Sequence, residues 1–137
     1  MSLGRFTTQL GIKVIGAQTY EVIAPLVYEN LDKRITVKEG FDFDGASVPQ
    51  WLWGFGLSPM TGGYQKAACL HDALYASEYF DRKTCDELFL QAMEADQVNK
   101  TKRYLMYVAV RAAGWYVWWK HDKNEVALYK EKYVEVS

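Results

Sequence analysis

The sequence predicts an α+β domain in which an N-terminal antiparallel β-sheet is followed by about three packed α-helices. The first forty or so residues alternate apolar and polar side chains with a period of two, which is typical of half-buried strands. From about residue 64 onward, apolar residues recur at spacings of three and four, as on one face of a helix. Strands followed by helices favour helices packed on one face or end of an antiparallel sheet.

The length and composition indicate one domain, residues 1–137, with a core of its own. Half of the residues are hydrophobic and 15% are aromatic, which excludes an intrinsically disordered chain. Sixteen Lys and Arg balance seventeen Asp and Glu, and no segment concentrates basic charge. Nucleic acid is therefore not expected as a partner, because a phosphate-tracking surface needs a basic stripe. Cys69 and Cys85 are too few for a disulfide framework, so we expect reduced, packed thiols, as in a cytosolic protein.

The strands are followed by a short segment with two acidic side chains. The alternation is clearest at residues 12–14 and 20–22, and residues 26–28 and 34–37 predict a hairpin with a longer loop. At the end of a further strand, Asp42 and Asp44 share one face, and Phe41 and Phe43 share the other. Two carboxylates at a strand end suit a hard cation that prefers oxygen ligands. Gly45 also fits a turn in which Asp44 bonds its own backbone.

An aromatic segment bounded by Gly and Pro interrupts the periodicity before the helices. Trp51, Trp53 and Phe55 lie in it. They form either a core plug, which is what large aromatic side chains usually do, or the lip of a substrate-binding site.

The helices are predicted at about residues 64–77, 82–96 and 102–121, with Asp81 capping the second and Asn99 or Thr101 the third. The third is the most apolar. Its segment 105–119 contains Arg111 and is shorter than the roughly 20 residues that cross a bilayer, so no transmembrane span is predicted. A buried helix is expected, with Arg111 paired to a carboxylate. The alternative is interfacial membrane contact through its Trp residues, which are Trp115, Trp118 and Trp119.

The candidate site is carried by the first two helices. His71 and Tyr75 are four residues apart and share a face, whereas Asp72 is rotated by about 100° from His71. Asp86, on the next helix, would accept a bond from one imidazole nitrogen and leave the other to take a proton from water. Tyr75 would bond the same aspartate. Asp72 would ligate a divalent cation that polarises the substrate.

The pair formed by His71-Asp72-x-x-Tyr75 and Cys85-Asp86 resembles the motifs of the phospholipase A2 enzymes. The resemblance implies that His71 is the base, Asp86 its orienting partner, Asp72 a Ca²⁺ ligand and Tyr75 a support, with an ester or lipid-like substrate. Leu74 stands where the secreted enzymes carry a cysteine. The glycine-rich calcium loop has no clean counterpart. Gly54-Phe55-Gly56 lies at about the right distance upstream, and Asp42 or Asp44 could substitute as ligands, but neither matches the family residue by residue.

Three ordered blocks resemble a family of small, uncharacterised phage and bacterial proteins. They are Gly40-Phe41-x-x-Asp44-Gly45-Ala46-Ser47-Val48-Pro49, Ala67-Ala68-x-x-His71-Asp72-x-Leu74-Tyr75 and Arg82-x-x-x-Asp86-x-x-Phe89. This resemblance implies a phage or prophage origin, and a location in the host cytoplasm or the virion. It implies no activity.

Two alternatives to a calcium-assisted hydrolase remain. The protein could be a phage accessory or virion component in which the His71, Tyr75 and Asp86 cluster is a structural polar network. Zinc hydrolysis would need His71, Asp72 and His121 to converge on one ion, and ranks below calcium because the chain has only two histidines.

Overall fold

The computed structural model describes residues 4–44 and 64–137 and confirms the α+β class. The strands are β1 (Gly4–Phe6), β2 (Ile12–Gly16), β3 (Thr19–Val22), β4 (Leu26–Asn30), β5 (Arg34–Val37), β6 (Asp42–Phe43) and β7 (Val134–Val136). The helices are α1 (Gln65–Ser77), α2 (Arg82–Ala95), α3 (Lys100–Trp119) and α4 (Lys123–Lys132).

The described strands form two antiparallel sheets where the sequence predicted one. The larger sheet has the order β1-β4-β5-β7 and the smaller has the order β2-β3-β6. The predicted hairpin is confirmed as β4 and β5, with Leu26 opposite Val37. The C-terminal strand β7 was not predicted. It covers the free edge of β5, with Val134 opposite Val37.

The predicted helices lie within about two residues of their observed bounds, and side-chain caps explain where they begin. The Asp81 carboxylate accepts the Thr84 backbone N–H at the start of α2. Asn99 accepts the N–H of Thr101 at 2.9 Å at the start of α3. Helix α4 was not predicted, and Asp122 caps it in the same way.

Helix α1 lies at the centre of the core. Most of its residues are buried, and it contacts α2, α4 and strands of both sheets. Burial on all sides is why its sequence lacks a polar face. Cys69 on α1 and Cys85 on α2 are buried free thiols, as expected.

None of the helices in residues 4–44 and 64–137 combines the length and apolarity needed to cross a bilayer. The predicted substrate-binding residues Trp51, Trp53 and Phe55, the Gly45 turn and the Gly54-Phe55-Gly56 segment lie outside the described residues.

Candidate functional site

Asp86 is the centre of the candidate site. Its Oδ1 atom lies 2.7 Å from Nε2 of His71 and accepts a hydrogen bond of 2.7 Å from the Tyr75 hydroxyl. The contact predicted between α1 and α2 is therefore present. It forms because His71 and Tyr75 lie one helical turn apart and both face α2.

Two arginines hold the other oxygen of the same carboxylate. Arg111 on α3 donates through Nη1 to Oδ2 at 2.9 Å, and Arg82, one turn before Asp86 on α2, approaches Oδ2 at 3.4 Å. Arg82 also donates to the backbone carbonyls of Val110 and Arg111 at the middle of α3. The sequence predicted that Arg111 pairs with a carboxylate, for which Asp86 and Asp44 were the candidates, and the partner is Asp86. The role of Arg82 was missed, although its i, i+4 spacing from Asp86 indicates such a pair.

The environment of Asp86 favours its charged form. Burial raises its pKa, but the hydrogen bond and charge of His71 and the bonds from Tyr75 and Arg111 outweigh burial, so the pKa lies below its ordinary value. An ionised carboxylate can only accept hydrogen bonds. Nε2 of His71 must therefore carry the proton. In the neutral imidazole, Nδ1 is then the basic nitrogen.

The His71 and Asp86 side chains are both 0% exposed to solvent. The imidazole stacks on the Phe89 ring, with centroids 4.4 Å apart, and lies 4.3 Å from the Tyr75 ring. Burial and the bond to Asp86 raise the pKa of Tyr75, which keeps its hydroxyl protonated as a donor. The dyad thus has a fixed orientation inside the core.

Helix α3 completes the enclosure of Tyr75. An ideal Cβ at Gly114 would lie 2.5 Å from the Tyr75 hydroxyl oxygen and 3.2 Å from Nη1 of Arg82. The Trp118 ring meets the Tyr75 ring edge-on at 5.2 Å. A glycine at position 114 therefore allows the backbone of α3 to approach the Tyr75 side chain closely.

A pocket of about 140 Å³ opens beside Tyr75. Its lining residues are Phe41, Asp42, Phe43, Asp44, Asp72, Tyr75, Ala76, Val117 and His121. All three predicted metal ligands border this pocket, and so does Tyr75, whereas His71 and Asp86 are not among its lining residues. The predicted alternation at the end of β6 is confirmed, because the rings of Phe41 and Phe43 are buried while Asp42 and Asp44 are exposed.

The pocket carboxylates do not amount to a metal site by themselves. Within residues 4–44 and 64–137, no group of three or more His, Cys, Asp or Glu is close enough to hold a metal ion. The set predicted for zinc is not assembled either, because His71 is bonded to Asp86 and Nδ1 of His121 lies 2.9 Å from the Glu78 carboxylate. Lys123 donates to the other Glu78 oxygen. A calcium site therefore remains a prediction.

Two bacterial proteins from Sinorhizobium fredii (strain NBRC 101917 / NGR234) are similar to the chain. The uncharacterized protein y4jT is 33% identical over 78 residues, which is 57% of this chain and 23% of y4jT. The uncharacterized protein y4iH is 37% identical over 71 residues, which is 52% of this chain and 30% of y4iH. The match therefore spans less than a third of either relative. No solved structure matches the chain.

A family profile also matches the chain, over a longer region than either relative does. The profile of the protein of unknown function DUF1353 matches residues 20–110, which include α1, α2 and the first half of α3. His71, Tyr75 and Asp86 all lie within the matched region. Because the match covers more than half of the chain, the protein belongs to the DUF1353 family.

Proposed function

We propose that the protein is a hydrolase of ester or related acyl bonds, in which His71 is the general base and Asp86 orients it. The observation that carries the proposal is the pair of 2.7 Å contacts that Asp86 Oδ1 makes with the His71 ring and the Tyr75 hydroxyl. A base held through one nitrogen by an ionised carboxylate is the arrangement that general-base catalysis requires.

The reaction follows from the proton positions. As the general base, the imidazole of His71 accepts a proton from a water molecule as the water oxygen attacks the carbonyl carbon of the ester. The imidazolium that forms is stabilised by the negative charge of Asp86. It then returns the proton to the departing alcohol oxygen, so that ester and water give acid and alcohol with His71 neutral again.

Each neighbour of the dyad has a part in this scheme. Tyr75 donates to Asp86 and fixes its rotamer, and Arg111 and Arg82 hold the second oxygen. The pocket beside Tyr75 would take the substrate. Its 140 Å³ is below the roughly 300–1,000 Å³ of drug-sized sites, which favours a small acyl or alcohol group at this point.

The proposal is tested with p-nitrophenyl esters of increasing acyl length and with dispersed phosphatidylcholine. We expect turnover by the wild-type chain, and a loss of roughly 100-fold or more in His71→Gln, the low end for a lost general base. The Gln amide can still donate to Asp86, so the buried hydrogen bond is kept while the base is removed. Parallel assays with added Ca²⁺ and with EDTA measure any metal dependence.

Asp96→Asn is the matched control. Asp96 also lies at α2, where it pairs with Lys66 at 3.5 Å, away from the dyad. It should keep wild-type turnover. Hydrolysis that survives in His71→Gln, or a wild-type chain no faster than buffer, contradicts the proposal.

A second candidate is favoured by the complete burial of the dyad. A general base must meet water, whereas His71 is 0% exposed and stacked on Phe89. In this candidate the cluster is a structural polar network of a phage accessory or virion component, and the two sequence blocks that contain His71 and Asp86 reflect the packing of α1 on α2. If the cluster is structural, we expect no turnover with any ester. Removing one member of the His71, Tyr75 and Asp86 cluster should then lower the free energy of unfolding by about 1–3 kcal/mol.

A further inference from the structure

Helix α3 has apolar side chains on both of its faces. Met106, Val110 and Gly114 are buried on its inner face. Its outer face carries large apolar and aromatic side chains that are exposed. They are Tyr104, Leu105, Val108, Trp115, Tyr116 and Trp119. A helix that is apolar all round is normally buried, so this outer face is suited to being covered by something else.

The outer residues form one continuous stripe. Leu105, Val108, Trp115 and Trp119 follow the alternating spacing of three and four that keeps side chains in a line, with the exposed Ala112 filling the remaining place. At about 1.5 Å per residue the stripe runs for roughly 21 Å. Its C-terminal end is the most aromatic, where Trp115 is 57% and Trp119 is 74% exposed.

The charges around the stripe are all positive along α3. Lys100 and Lys102 are exposed at its start and Lys120 follows its end, and the segment Lys100–Trp119 contains no Asp or Glu. The ammonium of Lys120 lies over the Tyr116 ring, 4.9 Å from its centre. This cation is therefore held next to an aromatic ring of the outer face. The whole chain has a net charge of −1, so this positive character is local.

These charges distinguish between the possible occupants of the stripe. A second copy of the chain, laid parallel or antiparallel along α3, would bring lysines against lysines at both ends of the pair. An anionic surface meets the same lysines favourably. Trp and Tyr prefer the boundary between water and lipid, where an apolar ring and a polar edge are both satisfied.

We propose that this outer face of α3 docks on an anionic lipid bilayer with the helix lying in the plane of the interface. The face is formed by Tyr104, Leu105, Val108, Trp115, Tyr116 and Trp119. The aromatic rings enter the boundary between headgroups and acyl chains. Lys100, Lys102 and Lys120 remain at the level of the anionic headgroups, as in other interfacial helices. This docking requires neither His71 nor hydrolysis.

The test uses the full chain and two kinds of vesicle, one of phosphatidylcholine alone and one of phosphatidylcholine with phosphatidylglycerol. Sedimentation measures bound protein. We expect binding to the anionic vesicles, weaker binding to neutral vesicles, and release as salt rises, because salt screens the lysines. The double variant Trp115→Ser/Trp119→Ser should lower the partition coefficient by about tenfold or more, since two interfacial aromatic side chains are lost.

Leu31→Ser is the matched control, because Leu31 is also apolar and is 90% exposed but lies on the β4–β5 hairpin. It should bind like the wild type, as should His71→Gln. Circular dichroism and thermal melting should show that the Trp double variant remains folded, since both Trp side chains are exposed. Lys100→Glu/Lys102→Glu should abolish the preference for anionic vesicles.

Three outcomes would overturn the proposal. The first is a wild-type chain that stays in solution with anionic vesicles. The second is equal binding by the wild type and the Trp double variant. The third is a concentration-dependent dimer that forms without lipid and is lost in the Trp double variant, which would assign the face to a second copy of the chain.

Discussion

The hydroxyl of Tyr75 occupies the space that a side chain at Gly114 would need. An added Cβ would lie 2.5 Å from that oxygen, well inside van der Waals contact. The same hydroxyl donates to Asp86, so the approach of α3 and the orientation of the dyad depend on one another. The contact between Tyr75 and α3 is therefore part of the site itself.

Gly114→Ala should destabilise the protein by about 1–3 kcal/mol through overpacking, although Ala is the better helix former by about 1 kcal/mol. Urea unfolding measures the change in the free energy of unfolding. Combining it with Tyr75→Phe should recover part of the loss, because the phenyl ring vacates the hydroxyl position. Strictly additive losses in the double variant would show that the two positions do not interact.

Asp86→Asn should lower the free energy of unfolding by about 3 kcal/mol, because it leaves two guanidinium groups without their buried anion. The value is at the low end for a broken buried pair, since the side chains of Arg82 and Arg111 are partly exposed. Asp96→Asn, at the C-terminal cap of the same helix, should change the free energy of unfolding by less than about 1 kcal/mol, because its ion pair with Lys66 is long and partly exposed. Equal losses in the two variants would remove Asp86 from the centre of the network.

The stability gap between wild type and Asp86→Asn should depend on pH. The pKa of Asp86 is depressed in the folded state, so its contribution is complete above the unfolded value of about 3.9 and is lost as pH falls through the folded pKa. The gap should stay constant between about pH 5 and 7 and narrow at lower pH. Denaturation series at several pH values measure it. A gap that widens in acid would contradict the assigned ionisation.

The two thiols should react slowly in the folded protein. Burial raises the pKa of the Cys85 thiol to about 12 and raises that of Cys69 well above its ordinary value. Little thiolate is then present at pH 8, and neither sulfur is accessible. Titration with a thiol reagent should find two reactive groups per chain in guanidinium, and almost none without it. Rapid reaction of either thiol in the native protein would contradict the observed packing.

The parts of the fold that local sequence determines were predicted from it. Asp81 and Asn99 are capping residues whose side chains bond N–H groups only two or three positions away, so the starts of α2 and α3 could be predicted from the sequence. The meeting of His71 and Asp86 could also be predicted, because helical periodicity places His71 and Tyr75 on one face. The complete burial of the His71 and Asp86 side chains could not be predicted, since burial depends on how all the elements pack.

The parts that depend on distant contacts were missed. Helix α4 has no buried residues and so no apolar stripe, although Asp122 is a good cap followed by Glu125 at the third position. Strand β7 has three residues and becomes a strand by pairing with β5, almost a hundred positions earlier. The contact of 2.9 Å between the Glu78 carboxylate and the His121 ring likewise joins the ends of α1 and α3. Local patterns carry no signal for such partners.

The pairing of β5 with β7 has a consequence for synthesis on the ribosome. Strand β5 is complete once residue 37 has been translated, but the strand that covers its edge comes from residues 134–136. Until those residues emerge, the backbone N–H and C=O groups along that edge can pair with the strand of another nascent chain. The larger sheet can therefore be finished only after translation has passed residue 136. Slow elongation through the helices would prolong the exposure of that edge and favour aggregation.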